Sequence, residues 1–138
     1  MTQLSPYLMF DGNCREAMTF YHACLGGQLG MQTVGESPMA EQIPSDMHDR
    51  MLHSMLTCGD FALMASDMMG SEKVVRGNDV HLCLVCSSKD EIEASFAKLA
   101  VGGQVGHPLQ EEFFGTIGDL TDQFGVRWML HFSPYPQG

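Results

Sequence analysis

The sequence has few basic residues, seven Lys and Arg against 17 Asp and Glu, so its formal net charge is −10. Such a chain repels phosphate backbones and anionic membrane surfaces. It also lacks any run of the roughly 20 apolar residues that a membrane span needs. Residues 1–6 contain neither a basic patch nor an apolar stretch. We therefore expect a cytoplasmic protein that binds neither nucleic acid nor membrane.

The cysteines give little sign of disulfide or redox chemistry. There are five of them, an odd number, which favours reduced thiols in a chain without an export signal. Cys83 and Cys86 have CxxC spacing, but they lie in a predicted strand, where residues three apart point to opposite faces. We expect both to be buried as small apolar side chains.

The strongest pattern is an internal repeat. Residues 20–30 match residues 96–106 in a Phe, a Gly-Gly pair, a Gln and a final Gly, at a constant offset of 76 residues. A helix-capping pattern precedes each copy, Asn13 with Glu16 and Ser88 with Glu91. The glycine pairs are typical helix ends. The repeat therefore predicts two helices in equivalent positions of two similar modules.

Alternating and apolar segments predict four strands for each helix. They cover residues 7–10, 29–34, 51–57 and 61–66 in the first half and 80–86, 105–109, 114–120 and 126–132 in the second. One strand before each helix and three after it distinguish this order from doubly wound α/β folds. The prediction is an α+β protein of two tandem βαβββ modules, whose eight strands form one open cup. It is a single domain of residues 1–138, with modules 5–67 and 79–133 joined by the linker 68–78.

Several segments resemble the PhnB-like branch of the vicinal oxygen chelate (glyoxalase/bleomycin resistance/dioxygenase) superfamily. They are residues 6–10 (PYLMF), 14–18 (CREAM), His53, residues 64–67 and, most specifically, residues 122–129 (DQFGVRWM). The resemblance extends from about residue 5 to residue 132. This branch is often labelled 3-demethylubiquinone methyltransferase-like. The chain has no glycine-rich nucleotide-binding pattern, so that label carries no functional weight here.

The resemblance also implies where a metal would bind. Metal-dependent relatives take one ligand from the first strand and one from the last strand of each half. These positions fall on residues 6–8, residues 63–65, His81 and Met129. Only His81 is a good ligand for a divalent ion, and a carboxylate would be needed where Met129 stands. The resemblance thus predicts the fold more firmly than the metal.

Two functions follow from these residues. The favoured one is a homodimeric protein that binds a partly apolar small molecule without a cofactor. Its ligand cup would contain His53, Asp67, His81, Arg127, Met129 and His131. The alternative is a lyase, isomerase or dioxygenase that holds Zn, Ni, Fe or Mn at a displaced site of His53, His81 and His131, with Asp67 as the carboxylate. The same histidines also fit ordinary structural roles, Arg127 fits a surface salt bridge, and a regulatory partner module is a third possibility. No catalytic residue is identified, which leaves enzyme activity undecided.

Overall fold

The computed structural model describes residues 2–70 and 73–135 and confirms the predicted α+β class. The chain divides into two compact units, the first ending at Val75 and the second beginning at Arg76. Each unit is a βαβββ module with one helix and one open four-stranded sheet. The two sheets supply the eight strands of the predicted fold. No helix in the described part of the chain is long and apolar enough to cross a membrane.

The first unit contains β1 (Tyr7–Phe10), α1 (Cys14–Leu25), β2 (Gln28–Thr33), β3 (Met51–Cys58) and β4 (Phe61–Asp67). Its strand order is β1-β4-β3-β2, with β1 parallel to β4 and the other pairs antiparallel. The helix packs on β2, β3 and β4. Two single turns of 3₁₀ helix, Ala40–Gln42 and Ser45–Met47, lie in the long connection before β3.

The second unit repeats this plan with β5 (Leu82–Val85), α2 (Lys89–Ala100), β6 (Gln104–Glu112), β7 (Gly115–Thr121) and β8 (Arg127–Phe132). Its strand order is β5-β8-β7-β6, and only the β5–β8 pair is parallel. The helix packs on β6, β7 and β8. Trp128 is buried on β8.

β6 is four residues longer than predicted, because it tolerates an irregular ladder. Its register against β7 shifts between Val105 and His107 and again between His107 and Gln110. Pro108 lies in the second shift, where a residue without an N–H interrupts the ladder least. β5 is shorter than predicted and begins at Leu82, so His81 precedes the strand instead of lying within it.

The two helices begin in different ways. The Ser88 side chain accepts a hydrogen bond from the Glu91 amide at 3.1 Å, which confirms the predicted cap of α2. At α1, however, Asn13 makes no side-chain capping bond. The carboxylate of Asp67, at the end of β4, accepts the Gly12 and Cys14 amides instead, at 2.8 and 3.0 Å. The predicted Asn13 cap is therefore wrong, since a distant strand supplies the acceptor.

The predicted burial of the CxxC thiols is half correct. Cys86 is buried, whereas Cys83 on the short edge strand β5 is exposed. The predicted division into modules 5–67 and 79–133 within one domain of residues 1–138 remains a prediction. Ser71 and Glu72 of the predicted linker 68–78 lie outside the described residues.

Candidate functional site

Each sheet carries its helix on one face, and the opposite face presents a separate set of side chains. In the first unit, Cys14 Sγ on α1 lies 3.5 Å from Ser54 Oγ, which identifies the helix side of β3. Because successive strand residues point to opposite faces, His53 and Met55 lie on the other side. We call the two faces without a helix the first and second helix-free faces.

The first helix-free face is rich in thioethers. Met55 is paired with Met64, and Met64 with Tyr7, so these three side chains form one row across the sheet. The Tyr7 and His53 rings lie 6.2 Å apart between centroids, which places His53 beside this row. Ser66 and Met9 complete the face, with Ser66 Oγ 3.6 Å from Met9 Sδ.

Asp67 does not lie with His53. It is 3% exposed on the helix side of β4, and its second carboxylate oxygen accepts the Met51 amide at 2.8 Å. Together with the bonds from Gly12 and Cys14, this anion holds three backbone donors from three segments. A carboxylate so occupied serves the fold of the first unit. The ligand-cup role predicted for it has no support in this geometry.

The second helix-free face is more polar. One row across its sheet pairs His107 with Asp119, Asp119 with Met129 and Met129 with Cys83. The next row contains Gln110, Ile117, His131 and Val85, again in register. Met129 and His131 therefore share one face of β8, as the sequence predicts from their spacing.

The two remaining predicted residues border this second face. His81 is half-buried just before β5, two residues from Cys83. Arg127 begins β8, and its Nε donates to the Gly77 carbonyl oxygen at 3.1 Å. This contact is a bond to backbone, and the ligand-cup and surface salt-bridge roles of Arg127 stay predictions. The structure places His81, Arg127, Met129 and His131 in one unit, whereas His53 belongs to the other.

The sequence reasoning missed a carboxylate–imidazole pair. His107 Nδ1 lies 2.8 Å from Asp119 Oδ2, and the His107 amide donates to Asp119 Oδ1 at 3.1 Å. A Cβ on Gly106 would collide with the Asp119 carboxylate, so glycine is needed there for this approach. β-bulges commonly re-aim side chains in this way. The Gly106-His107-Pro108 sequence inside a strand was the available signal.

His131 has an unsatisfied polar atom. Its Nε2 is buried and has no hydrogen-bond partner among the described residues. Its ring lies 5.9 Å from that of Phe114, which in turn meets Phe113 edge-on at 5.3 Å. An unpaired buried nitrogen costs about 1–3 kcal/mol, so a binding partner for it would stabilise the protein.

Three thiols have perturbed acidities, one in the first unit and two in the second. Burial raises the pKa of Cys14 to about 11; the Ser54 hydrogen bond opposes this shift and the Asp67 charge adds to it. Burial also raises the pKa of Cys86 to about 11, with help from the Glu91 charge. The pKa of Cys83 is raised by desolvation as well. These thiols stay protonated near neutral pH, which makes them poor nucleophiles and metal ligands.

The residues at the metal positions of the family do not fit a divalent ion. Tyr7 and Met64 face each other on the first helix-free face, and Met129 occupies the corresponding place on the second. With His81 they offer one phenol, one imidazole and two thioethers. Thioethers are soft donors that suit Cu(I) rather than Zn²⁺, Mn²⁺ or Fe²⁺. Within each unit, no three described His, Cys, Asp or Glu side chains are grouped closely enough to hold a metal.

Comparison with known proteins identifies the superfamily to which this fold belongs. The family model of the Glyoxalase/Bleomycin resistance protein/Dioxygenase superfamily matches residues 3–130. This chain belongs to that superfamily. Protein YjdN of Escherichia coli is 34% identical to it over 138 residues, covering 93% of each chain. Among solved structures, protein PA1353 of Pseudomonas aeruginosa is 41% identical to this chain, with a TM-score of 0.86 over 96% of this chain and 98% of that one.

A more distant solved structure shares the fold and carries the name of the predicted PhnB-like branch. The Bacillus cereus PhnB protein, a putative 3-demethylubiquinone-9 3-methyltransferase by name, has a TM-score of 0.75 to this superfamily member. The two are 24% identical, and the match covers 96% of this chain and all of the other. At this identity the similarity concerns the fold. The superfamily fold carries many activities, so function has to be argued from the residues.

Proposed function

We propose that this superfamily member binds a partly apolar small molecule and works without the divalent metal of its metal-dependent relatives. The observation that carries the proposal is the donor set at the family's metal positions. Tyr7, Met64 and Met129 replace the imidazole, amide or carboxylate groups that a Lewis-acid centre needs. A protein that keeps the superfamily fold but not its ligands is best explained by binding.

The composition of the helix-free faces supports a partly apolar ligand. The first face combines the thioethers of Met9, Met55 and Met64 with the Tyr7 ring. Unbranched thioethers adapt to irregular ligand shapes. Isolated polar groups on such apolar surfaces, here His53 and His131, are the usual means by which a site orients a ligand. On the second helix-free face, His81, Arg127 and Met129 are the further residues that we propose to contact the ligand.

The first test measures metal content and metal response together. Protein purified without a histidine tag or chelator is analysed for bound elements, and its melting temperature is recorded with added Zn²⁺, Ni²⁺, Fe²⁺ and Mn²⁺. We expect less than a tenth of an equivalent of any metal and no stabilisation. A small-molecule library screened by the same melting assay should in contrast contain compounds that raise the melting temperature.

The metal-dependent alternative makes the opposite prediction. A lyase, isomerase or dioxygenase using His53, His81 and His131 would contain near-stoichiometric metal and be stabilised by it. Replacing all three histidines by alanine would abolish both effects, whereas a His22→Ala control on α1 would not. That pattern would refute our proposal and direct further work to isomerase and ring-cleavage assays.

We further propose that the protein acts as a cytoplasmic homodimer. Each sheet ends in a four-residue edge strand, β1 or β5, and no strand of the described chain pairs with its outer edge in that sheet. Val85 on β5 is largely exposed, as an apolar edge available to a second copy would be. Light scattering coupled to gel filtration should give about twice the 15.2 kDa chain mass. If the measured mass remained that of one chain at high protein concentration, the homodimer would be excluded.

A further inference from the structure

Three aromatic rings form a short ladder at one end of the second helix-free face. Phe113 and Phe114 meet edge-on at 5.3 Å, and Phe114 lies 5.9 Å from His131 at an angle of 44°. Phe113 is 90% exposed and Phe114 39% exposed. Together they form a contiguous exposed apolar patch, a feature of binding surfaces.

The far end of this ladder contains the unsatisfied atom. His131 Nε2 is buried, yet the described chain offers it neither a donor nor an acceptor. In a neutral imidazole this nitrogen either carries a hydrogen or presents a lone pair. In both tautomers one hydrogen bond is missing, and the ligand or a water molecule has to supply it.

The neighbours of His131 are apolar. Val85 on β5 and Ile117 on β7 are paired with it directly across the sheet, so their side chains flank the imidazole on both sides. With Phe114 beside them, these residues provide a flat apolar surface with one polar atom in it. Such a surface suits a planar ring with a single polar substituent.

The local charge indicates what that substituent is. Glu112, paired with Gly115 at the end of the same face, is exposed and adjoins Phe113. The nearby Lys89 is bound to Glu111 at 2.8 Å, and the whole chain has a net charge of −10. These charges disfavour an anionic ligand at this end of the face, which is the end away from Arg127. A hydroxyl group is uncharged and can both donate and accept, so it can pair with either tautomer of His131.

We propose that the second helix-free face binds a neutral hydroxylated aromatic compound. The 39% exposed Phe114 ring turns aside to uncover the buried His131 Nε2, so that the ligand ring packs against Phe114 and the ligand hydroxyl bonds to this nitrogen. This inference rests on the proposed function, because it assigns a ligand class to one of the two faces that function uses. It requires residues of the second unit alone.

The test compares two probes of nearly the same shape, 2-naphthol and 2-methylnaphthalene, by their own fluorescence. We expect the wild-type protein to bind 2-naphthol about tenfold more tightly, since about 1.4 kcal/mol is a typical value for a hydrogen bond to a buried, otherwise unpaired group. Addition of 2-naphthol should also shift the imidazole ¹⁵N signals of His131, whereas 2-methylnaphthalene should leave its Nε2 signal nearly unchanged.

Three variants separate the hydrogen bond from the ring contact. His131→Phe keeps a ring but removes the nitrogen, so it should bind both probes equally and melt at a higher temperature than wild type. Phe114→Leu should weaken both probes by a similar factor. Phe61→Leu is the matched control, because Phe61 is 38% exposed in the first unit, and it should change neither affinity.

The possible failures are distinguishable. If other library compounds stabilise the protein but the two naphthalenes bind equally, or not at all, the ligand class is wrong and the proposed function stands. Persistence of the 2-naphthol preference in His131→Phe would likewise overturn the role of this residue. If no compound binds and a divalent metal stabilises the protein, both the function and this inference fail.

Discussion

The two units share a backbone plan and differ in the chemistry of their helix-free faces. At matching positions of the central strands, the first unit has Met55 beside Met64 and the second has Asp119 beside Met129. The strand next to them is regular at Gly30 but bulged around His107. The comparison teaches that the repeat preserves what the backbone needs, whereas the faces available to ligands have diverged.

Glycine explains why the repeat is still visible. Gly27 and Gly103 are the second glycines of the two Gly-Gly pairs, and a Cβ at either position would collide with a strand carbonyl, that of Thr57 or of Thr121. The residues after them, Gln28 and Gln104, are paired with the same two threonines. The Gly-Gly-Gln sequence thus marks the place where the chain leaves each helix against the end of a neighbouring strand.

Removal of the buried carboxylate of each unit should have the largest effect on stability and should distinguish the two units. Asp67 holds three backbone N–H groups, while Asp122 holds those of Phe124 and Val126 and the Trp128 indole. We expect Asp67→Ala to lower the free energy of unfolding by about 4 kcal/mol and Asp122→Ala by about 3 kcal/mol. Urea denaturation measures both.

Asp60→Ala is the control for these two variants, since Asp60 is exposed in the β3–β4 turn. It should change stability by less than about 0.5 kcal/mol. Losses for Asp67 and Asp122 as small as for Asp60 would show that water replaces the carboxylates and that neither anion organises its unit.

Alanine at the repeated glycines should give the next largest loss. Gly27 has a φ of +85° as well as the close carbonyl, so Gly27→Ala combines strain with collision. We expect it to lower the free energy of unfolding by about 3 kcal/mol, and Gly103→Ala, which adds only the collision, by about 2 kcal/mol. Chemical denaturation of both variants tests the order.

The final glycine of each repeat offers a matched pair. A Cβ at Gly30 would meet nothing, while one at Gly106 would collide with the Asp119 carboxylate. Gly30→Ala should therefore be nearly neutral, and Gly106→Ala should displace the His107–Asp119 pair. The imidazole ¹⁵N signals of His107 would report that change. Equal behaviour of the two variants would contradict the proposed divergence of the faces.

A smaller effect concerns alkaline pH. Cys14 and Cys86 have pKa values raised to about 11 in the folded protein, against an ordinary value of 9.0. The unfolded chain therefore loses these protons first, and stability should fall as pH rises from about 9 to about 11. Urea midpoints at pH 8 and pH 10 measure the fall, which Cys14→Ala and Cys86→Ala should each reduce.

Thiol labelling provides an independent check on the same groups. At pH 8 a maleimide should modify the exposed Cys83 before the buried Cys14 and Cys86. If Cys14 were labelled as fast as Cys83, the first unit would have to open locally. The burial that raises the pKa of Cys14 would then not hold in solution.

The smallest expected difference lies in the ion pairs. Arg50 in the first unit binds Asp11 at 3.2 Å and also donates to the Met68 carbonyl at 2.7 Å. Within residues 2–70 and 73–135, Lys89 of the second unit binds Glu111 alone, and both of these side chains are exposed. Arg50→Met should lower the free energy of unfolding by about 1 kcal/mol, and Lys89→Met should have no measurable effect. A larger loss for Lys89 would reverse this comparison.

Local patterns were sufficient to predict most of the fold. The two helices and all eight strands follow from capping residues, apolar spacing and glycines, and β1 lies at its predicted residues. What failed depends on distant partners. The cap of α1 comes from Asp67, whose carboxylate lies more than 50 positions along the chain from Gly12 and Cys14. The exposure of Cys83 depends on the short edge strand in which it lies.

The candidate site was less accessible to prediction. Strand spacing correctly put Met129 and His131 on one face. It could not identify the buried Nε2 of His131, whose ring lies 5.9 Å from that of Phe114 in the β6–β7 turn. Strict alternation along a strand could not predict the His107–Asp119 pair. It assumes a strand without bulges, whereas the bulges in β6 change the sheet face to which a side chain points.

The position of Asp67 has a consequence for how the protein is made. It is the last residue of β4, yet it supplies the acceptor for the first turn of α1 and for the first amide of β3. During synthesis, these donors have no such partner until the chain as far as Asp67 has left the ribosome. The first unit should therefore acquire its native form late and in one step, with β1 waiting as an unpaired segment until β4 arrives.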